Sequence, residues 1–90
     1  MGPVLTPGGY KVQLAAVRDQ GMAEKEWKRL NRRHKDLLGG LGHSVTRIDL
    51  KTKGTFYRLR TTGVGTKEKA KALCELLKTR KVGCLIVRPR

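Results

Sequence analysis

From Tyr10 the chain alternates. In YKVQLAAV, Tyr10, Val12 and Leu14 fall at every second position with Lys11 and Gln13 between them, the period of a strand with one buried face. Tyr10, Val12, Val17, Ala23, Trp27 and Leu30 recur without a gap, 47 residues later, as Tyr57, Leu59, Val64, Ala70, Cys74 and Leu77. Each half therefore opens as a strand, YKVQLAAV or FYRLRTTGV, and then passes to helical spacing. Ala70, Leu73, Cys74 and Leu77 lie at i, i+3, i+4 and i+7, forming one apolar stripe with Lys67, Lys69, Lys71, Glu75 and Lys78 mostly off it. Ala23, Trp27, Leu30 and His34 make the matching stripe of the first half. Asp19 and Thr66, again 47 apart, stand where an N-cap is needed.

The pattern predicts strands over Tyr10 to Val17, Ser44 to Leu50, Thr55 to Thr62 and Cys84 to Val87, with helices over Met22 to His34 and Lys67 to Lys78. Leu37 to Gly42 reads as a glycine-rich connection and Lys51 to Gly54 as a turn. The order βαββαβ places the chain in the α+β class. Its economical solution is the split βαβ sandwich of ferredoxin-like and RNP-like topology: a four-stranded antiparallel sheet with both helices on one face. By parity, the open face shows Lys11, Gln13 and Ala15 from the first strand and Phe56, Arg58 and Arg60 from the third.

Ninety residues allow one domain, set at residues 10–90, with residues 1–9 a linker or expression-derived extension. Met1 to Thr6 formally fits a myristoylation pattern, but the Pro/Gly-rich run reads better as linker. No stretch is long and apolar enough to span a membrane, and the start lacks an apolar export region. Twenty-one Lys and Arg against seven Asp and Glu give a formal charge of +14, which favours polyanions without choosing among them. KGTFYRLR, residues 53–60, opens like an RNA-reading strand. The RNP1 pattern wants aromatics at its third, fifth and eighth positions, which here are Thr55, Tyr57 and Arg60. Only one is met, and the repeat gives Tyr57 the helix-facing parity of Tyr10. An open face with one aromatic lacks the stacking rings that RNA needs, which argues against nucleic acid.

Five blocks in order, YKVQLAAV with Ala23 and Trp27, LLGGL, KGTFYRLR, Ala72-Leu73-Cys74, and Cys84 to Arg88, resemble the SPOR (sporulation-related) domain of bacterial envelope proteins, in its alphaproteobacterial form. The resemblance runs from about Tyr10 to Arg88. It implies a periplasmic, noncatalytic module without cofactor. Such domains bind peptidoglycan, especially glycan strands whose stem peptides amidases have removed, and bring their host proteins to division sites. The implied partners are glycan strands and, beyond them, envelope or division proteins, with the domain itself a monomer. The sequence departs from the family pattern at Ala15, where glycine is usual, at Val17 and Val64, where an aromatic is usual, and at Thr62-Gly63.

With that resemblance, Gln13 is the first candidate contact, because a neutral amide offers donors and acceptors to hydroxyl and acetamido groups. Alone it would read as an ordinary exposed glutamine. Arg58 and Arg60 suit the lactyl carboxylate of muramic acid, or read as solvated charges. Phe56 offers a ring to a sugar or merely shields the hairpin end, and Lys11 and Ala15 complete the expected surface. Trp27 is core by its spacing. His34 and His43 lack paired ligand spacing, so no metal is expected. Cys74 lies in an apolar stripe rather than a nucleophile's setting, and no carboxylate pair suits glycosidase chemistry. Cys74 and Cys84 are expected close together, Cys74 pointing from its helix to the sheet and Cys84 sharing the parity of Ile86. A periplasmic setting favours a disulfide between them, with two buried thiols as the alternative.

Overall fold

A computed structural model describes residues 9–88. Residues 1–8, most of the expected linker, lie outside the described residues. Strand β1 (Tyr10–Val17) leads into helix α1 (Gln20–Arg33), the single turn α2 (Lys35–Leu38), strands β2 (Gly42–Leu50) and β3 (Gly54–Gly65), helix α3 (Lys67–Thr79) and strand β4 (Leu85–Val87). The strands form one antiparallel sheet in the order β2-β3-β1-β4. The fold is the expected α+β sandwich.

Both long helices start where the sequence supplies a cap. The Asp19 carboxylate accepts a hydrogen bond from Met22 N at 3.1 Å and the Thr66 hydroxyl accepts one from Lys69 N at 3.2 Å, each satisfying a backbone donor that a helix start leaves free. The helices lay Ala23, Trp27 and Leu30, and Ala70, Leu73, Cys74 and Leu77, on the sheet face formed by Val12, Leu14, Leu59 and Val64. Complete burial of a leucine such as Leu59 or Leu77 is worth about 1.5–3 kcal/mol, so these few side chains supply much of the stability of a small domain.

The connection after α1 is not wholly a loop, as its glycines suggested. His34 ends α1, donating its N–H to Leu30 O, and its own carbonyl accepts from Leu37 N and Leu38 N. The Asn31 side chain holds Leu38 O at 3.0 Å. The resulting turn, α2, puts Leu38 into the core with no exposure at all.

Strands β1 and β3 are the corresponding strands of the 47-residue repeat, and they pair with each other. Gln13 stands opposite Arg60, and the two are 47 residues apart. The repeat is thus a local twofold whose axis passes between these two side chains. Two irregularities interrupt the ladder. Between Tyr10 and Val12 the β3 strand carries extra residues, accommodated by Gly63 and Gly65 at φ of 84° and 92°, a region that only glycine enters freely. There the buried Thr61 hydroxyl accepts from Val12 N and donates to Val12 O, replacing ladder bonds with a side chain. The second is a bulge in β1, where Leu14 and Ala15 together oppose Leu59.

At the far end of α3, Arg80 clamps Asp36 of α2 through two bonds of 2.9 and 2.6 Å. The guanidinium holds the Asp36 carboxyl down at about 2. A carboxyl depressed in the folded state contributes stability above its unfolded pKa, about 3.9, and loses it as pH falls towards 2. Both side chains are exposed and the contribution is small. In a carboxyl-carbon NMR titration, Asp36 is expected to titrate near pH 2, and in Arg80→Ala near the ordinary aspartate value.

Candidate functional site

The sheet face away from the helices carries the candidate residues, and strand register sets them in rows. One row runs Ser44, Arg60, Gln13, Leu85 across all four strands; the next runs Thr46, Arg58, Ala16; a third pairs Ile48 with Phe56. Lys11 shares this side, opposite Val87. Gln13, Lys11, Arg58, Arg60 and Phe56 are therefore brought together on one surface.

Ala15 is not on it. The bulge gives β1 one residue more than its partner needs, so Ala15 falls opposite Leu59 and packs against the core, and Ala16 takes the outward place opposite Arg58. Strict alternation failed there because a bulge shifts every later side chain to the other face.

At the centre, Arg60 Nε donates to Gln13 Oε1 at 3.1 Å. This bond uses one guanidinium nitrogen and the amide oxygen, so the terminal guanidinium nitrogens and the amide NH2 retain their donors. Burial and, secondarily, the adjacent Arg58 charge pull the Arg60 pKa below its usual value. Arginine starts so high that it remains charged. Among the described residues no Asp or Glu shares this side of the sheet, so a half-buried cation sits beside a second cation without a counter-charge. A bound anion would relieve both costs. Beside Arg60, the Ser44 hydroxyl oxygen is enclosed and has no hydrogen-bond partner among the described residues.

The ring of Phe56 is covered. The Arg18 guanidinium lies over it, 4.3 Å from the centroid, in cation–π geometry, so the surface met by a ligand at this corner is as much arginine as aromatic. Arg18, Ser44, Thr46 and Ala16 were all missing from the expected surface. The alternation of Ser44, Val45 and Thr46 carried a signal for β2, whereas Arg18 lies one residue beyond the strand that pattern defines.

The other candidate residues lie on the helix side. His43 stacks on Trp27, with ring centroids 4.9 Å apart, and its Nε2 is 2.8 Å from Glu24 Oε1. His34 is buried against Arg80. Cys74 and Cys84 are joined by a disulfide, their Cα atoms 5.7 Å apart, which fastens α3 to the residue preceding β4. No described helix is long and apolar enough to cross a membrane.

The chain is 35% identical over 75 residues to the cell division protein FtsN of Caulobacter vibrioides (strain NA1000 / CB15N), a stretch covering 83% of this chain and 28% of that protein. The chain thus spans under a third of that relative's length. No solved structure matches it. The SPOR domain family matches residues 6–88, and the matched segment contains every strand and helix of the sandwich and the whole Gln13–Arg60 face. With nearly its full length covered, the chain belongs to the SPOR domain family, whose members bind peptidoglycan.

Proposed function

We propose that this domain is a noncatalytic peptidoglycan-binding module that recognises glycan strands stripped of stem peptides, and that it localises a periplasmic envelope or division protein to the septal wall. The observation that carries this reading is the Gln13–Arg60 pair, set with Arg58 at the centre of a face without carboxylates among the described residues. Hydrolysis of the amide joining stem peptide to sugar leaves a free lactyl carboxylate on each muramic acid. A stripped strand is thus a polymer of hydroxyls and acetamido groups with regularly placed carboxylates. An amide, the Thr46 hydroxyl and unneutralised guanidinium groups match that chemistry. The intact strand has no such free carboxylate at the sugar, which is why this face favours the stripped form.

RNA is the second reading, favoured by the charge of +14 and by Arg58 and Arg60. Against it, the one aromatic of the face lies under Arg18, leaving little for bases to stack on.

Co-sedimentation with purified sacculi before and after amidase treatment tests the proposal. Amidase-treated sacculi are expected to retain more protein. Gln13→Ala is expected to weaken that binding by about 1–2 kcal/mol, the scale of one lost hydrogen-bonding partner, with little change in melting temperature. Binding that ignores amidase treatment and Gln13→Ala, yet is abolished by Arg60→Glu and falls steeply with salt, would mark a phosphate-backbone ligand instead.

A further inference from the structure

At the β4 edge of the sandwich, on the helix side of the sheet, lies a cleft of about 620 Å3 lined by Tyr10, Lys67, Lys71, Ile86 and Arg88. Tyr10 and Ile86 pack against the core and form its apolar part. The three cations come from two elements, Lys67 and Lys71 from the first turns of α3 and Arg88 from just past β4. Among the described residues none of them is in an ion pair. Glu68 and Glu75, a turn to either side of Lys71, do not reach it.

These lysines do not serve the helix. Lys67 and Lys71 are like charges four apart, which repel, and Lys67, the first residue of α3, stands at the positive end of the helix dipole, where a cation is unfavourable. The cap is supplied by Thr66. Their placement costs stability, and that cost is relieved when an anion sits between them.

We infer that this cleft is a second ligand site, one that takes a phosphate group. The two ammonium groups, as compact point charges, and the Arg88 guanidinium, whose fork matches phosphate oxygens, together suit an anion with oxygens in several directions. The Tyr10 hydroxyl adds a neutral donor. The volume exceeds that of phosphate alone and accommodates the group to which it is esterified, within the range of small-molecule sites. Tyr10 has the opposite parity to Gln13, so the cleft and the open face do not overlap, and the inference stands apart from the glycan reading.

The test is a backbone-amide NMR titration with inorganic phosphate at constant ionic strength, on the parent and on Lys67→Gln/Lys71→Gln. Saturable shifts at Tyr10, Lys67, Lys71 and Ile86 are expected, with affinity at least about tenfold lower in the double variant and unchanged retention on sacculi. Sedimentation with phosphatidylglycerol-containing vesicles, against phosphatidylcholine alone, identifies the source. Loss of vesicle binding in the double variant assigns the phosphate to a lipid headgroup, and undiminished or absent vesicle binding beside the tenfold loss assigns it to a soluble phosphate. Shifts that fail to saturate, equal affinities in parent and variant, or loss of sacculus binding in the variant would each overturn the inference.

Discussion

Replacing Trp27 with alanine is expected to destabilise the domain by about 3–5 kcal/mol, the usual cost of removing a buried large aromatic. Trp27 is 8% exposed and joins the core that α1 shares with the sheet. Its ring also stacks on His43 of β2, whose Nε2 lies 2.8 Å from Glu24 Oε1 of α1. Trp27 thus helps fasten α1 to an edge strand, and its loss leaves a cavity and removes the stacking partner of the imidazole. Small domains are stable by only about 5–15 kcal/mol, so Trp27→Ala should unfold at a much lower urea concentration. Circular dichroism is the appropriate probe, since the variant lacks the chain's one tryptophan. A loss below about 1 kcal/mol would show that the site collapses around the gap.

Breaking the Cys74–Cys84 bond should have the next largest effect. A cross-link across a sequence separation of ten restricts the unfolded chain by about 3 kcal/mol. For a domain of this size that corresponds to a fall of roughly 10–20 °C in melting temperature. The damage should be local before it is global. Strand β4 has three residues and pairs with β1 alone, so the link to α3 is a large part of what holds it. Calorimetry with and without reductant, and of Cys74→Ala/Cys84→Ala, measures the loss. Hydrogen exchange should quicken first in β4 and the partner residues Lys11 to Gln13, while α1 stays protected. Equal melting temperatures in the two redox states would remove the disulfide from the account of stability.

Where the sequence pattern was strong, it was sufficient. The limits of β1 and the caps of α1 and α3 follow from alternation, helical stripes and two side chains, all local and all repeated. What escaped was set by groups distant in the chain. The turn α2 depends on the His34 carbonyl and the Asn31 amide, which no periodicity records. Strand β3 runs on to Gly65 because Gly63 and Gly65 take positive φ, in a segment whose glycines look like strand breakers. Ala15 was misplaced by a one-residue bulge. The candidate face shows the same division: Gln13, Arg58 and Arg60 were legible from parity, but their bond was not, nor was the covering of Phe56 by Arg18. That contact needs the end of β1 to meet the start of β3, a matter of register rather than composition.

The local twofold between Gln13 and Arg60 bears on direction. A surface with an exact axis of this kind would present the same backbone to a chain laid across it either way round. A polysaccharide is not so symmetrical, having a reducing and a nonreducing end. Here the axis is broken in the backbone, by the bulge in β1, the extra residues in β3 and edge strands of nine and three residues, and again by side chains that differ between the halves. The side chains differ along the central row, which passes from the Arg60 guanidinium and the Gln13 amide at its centre to Leu85, 59% exposed, at the β4 edge. On the proposed reading, this gradient from polar to apolar gives a bound strand its polarity, and with it the orientation of the host protein on the wall.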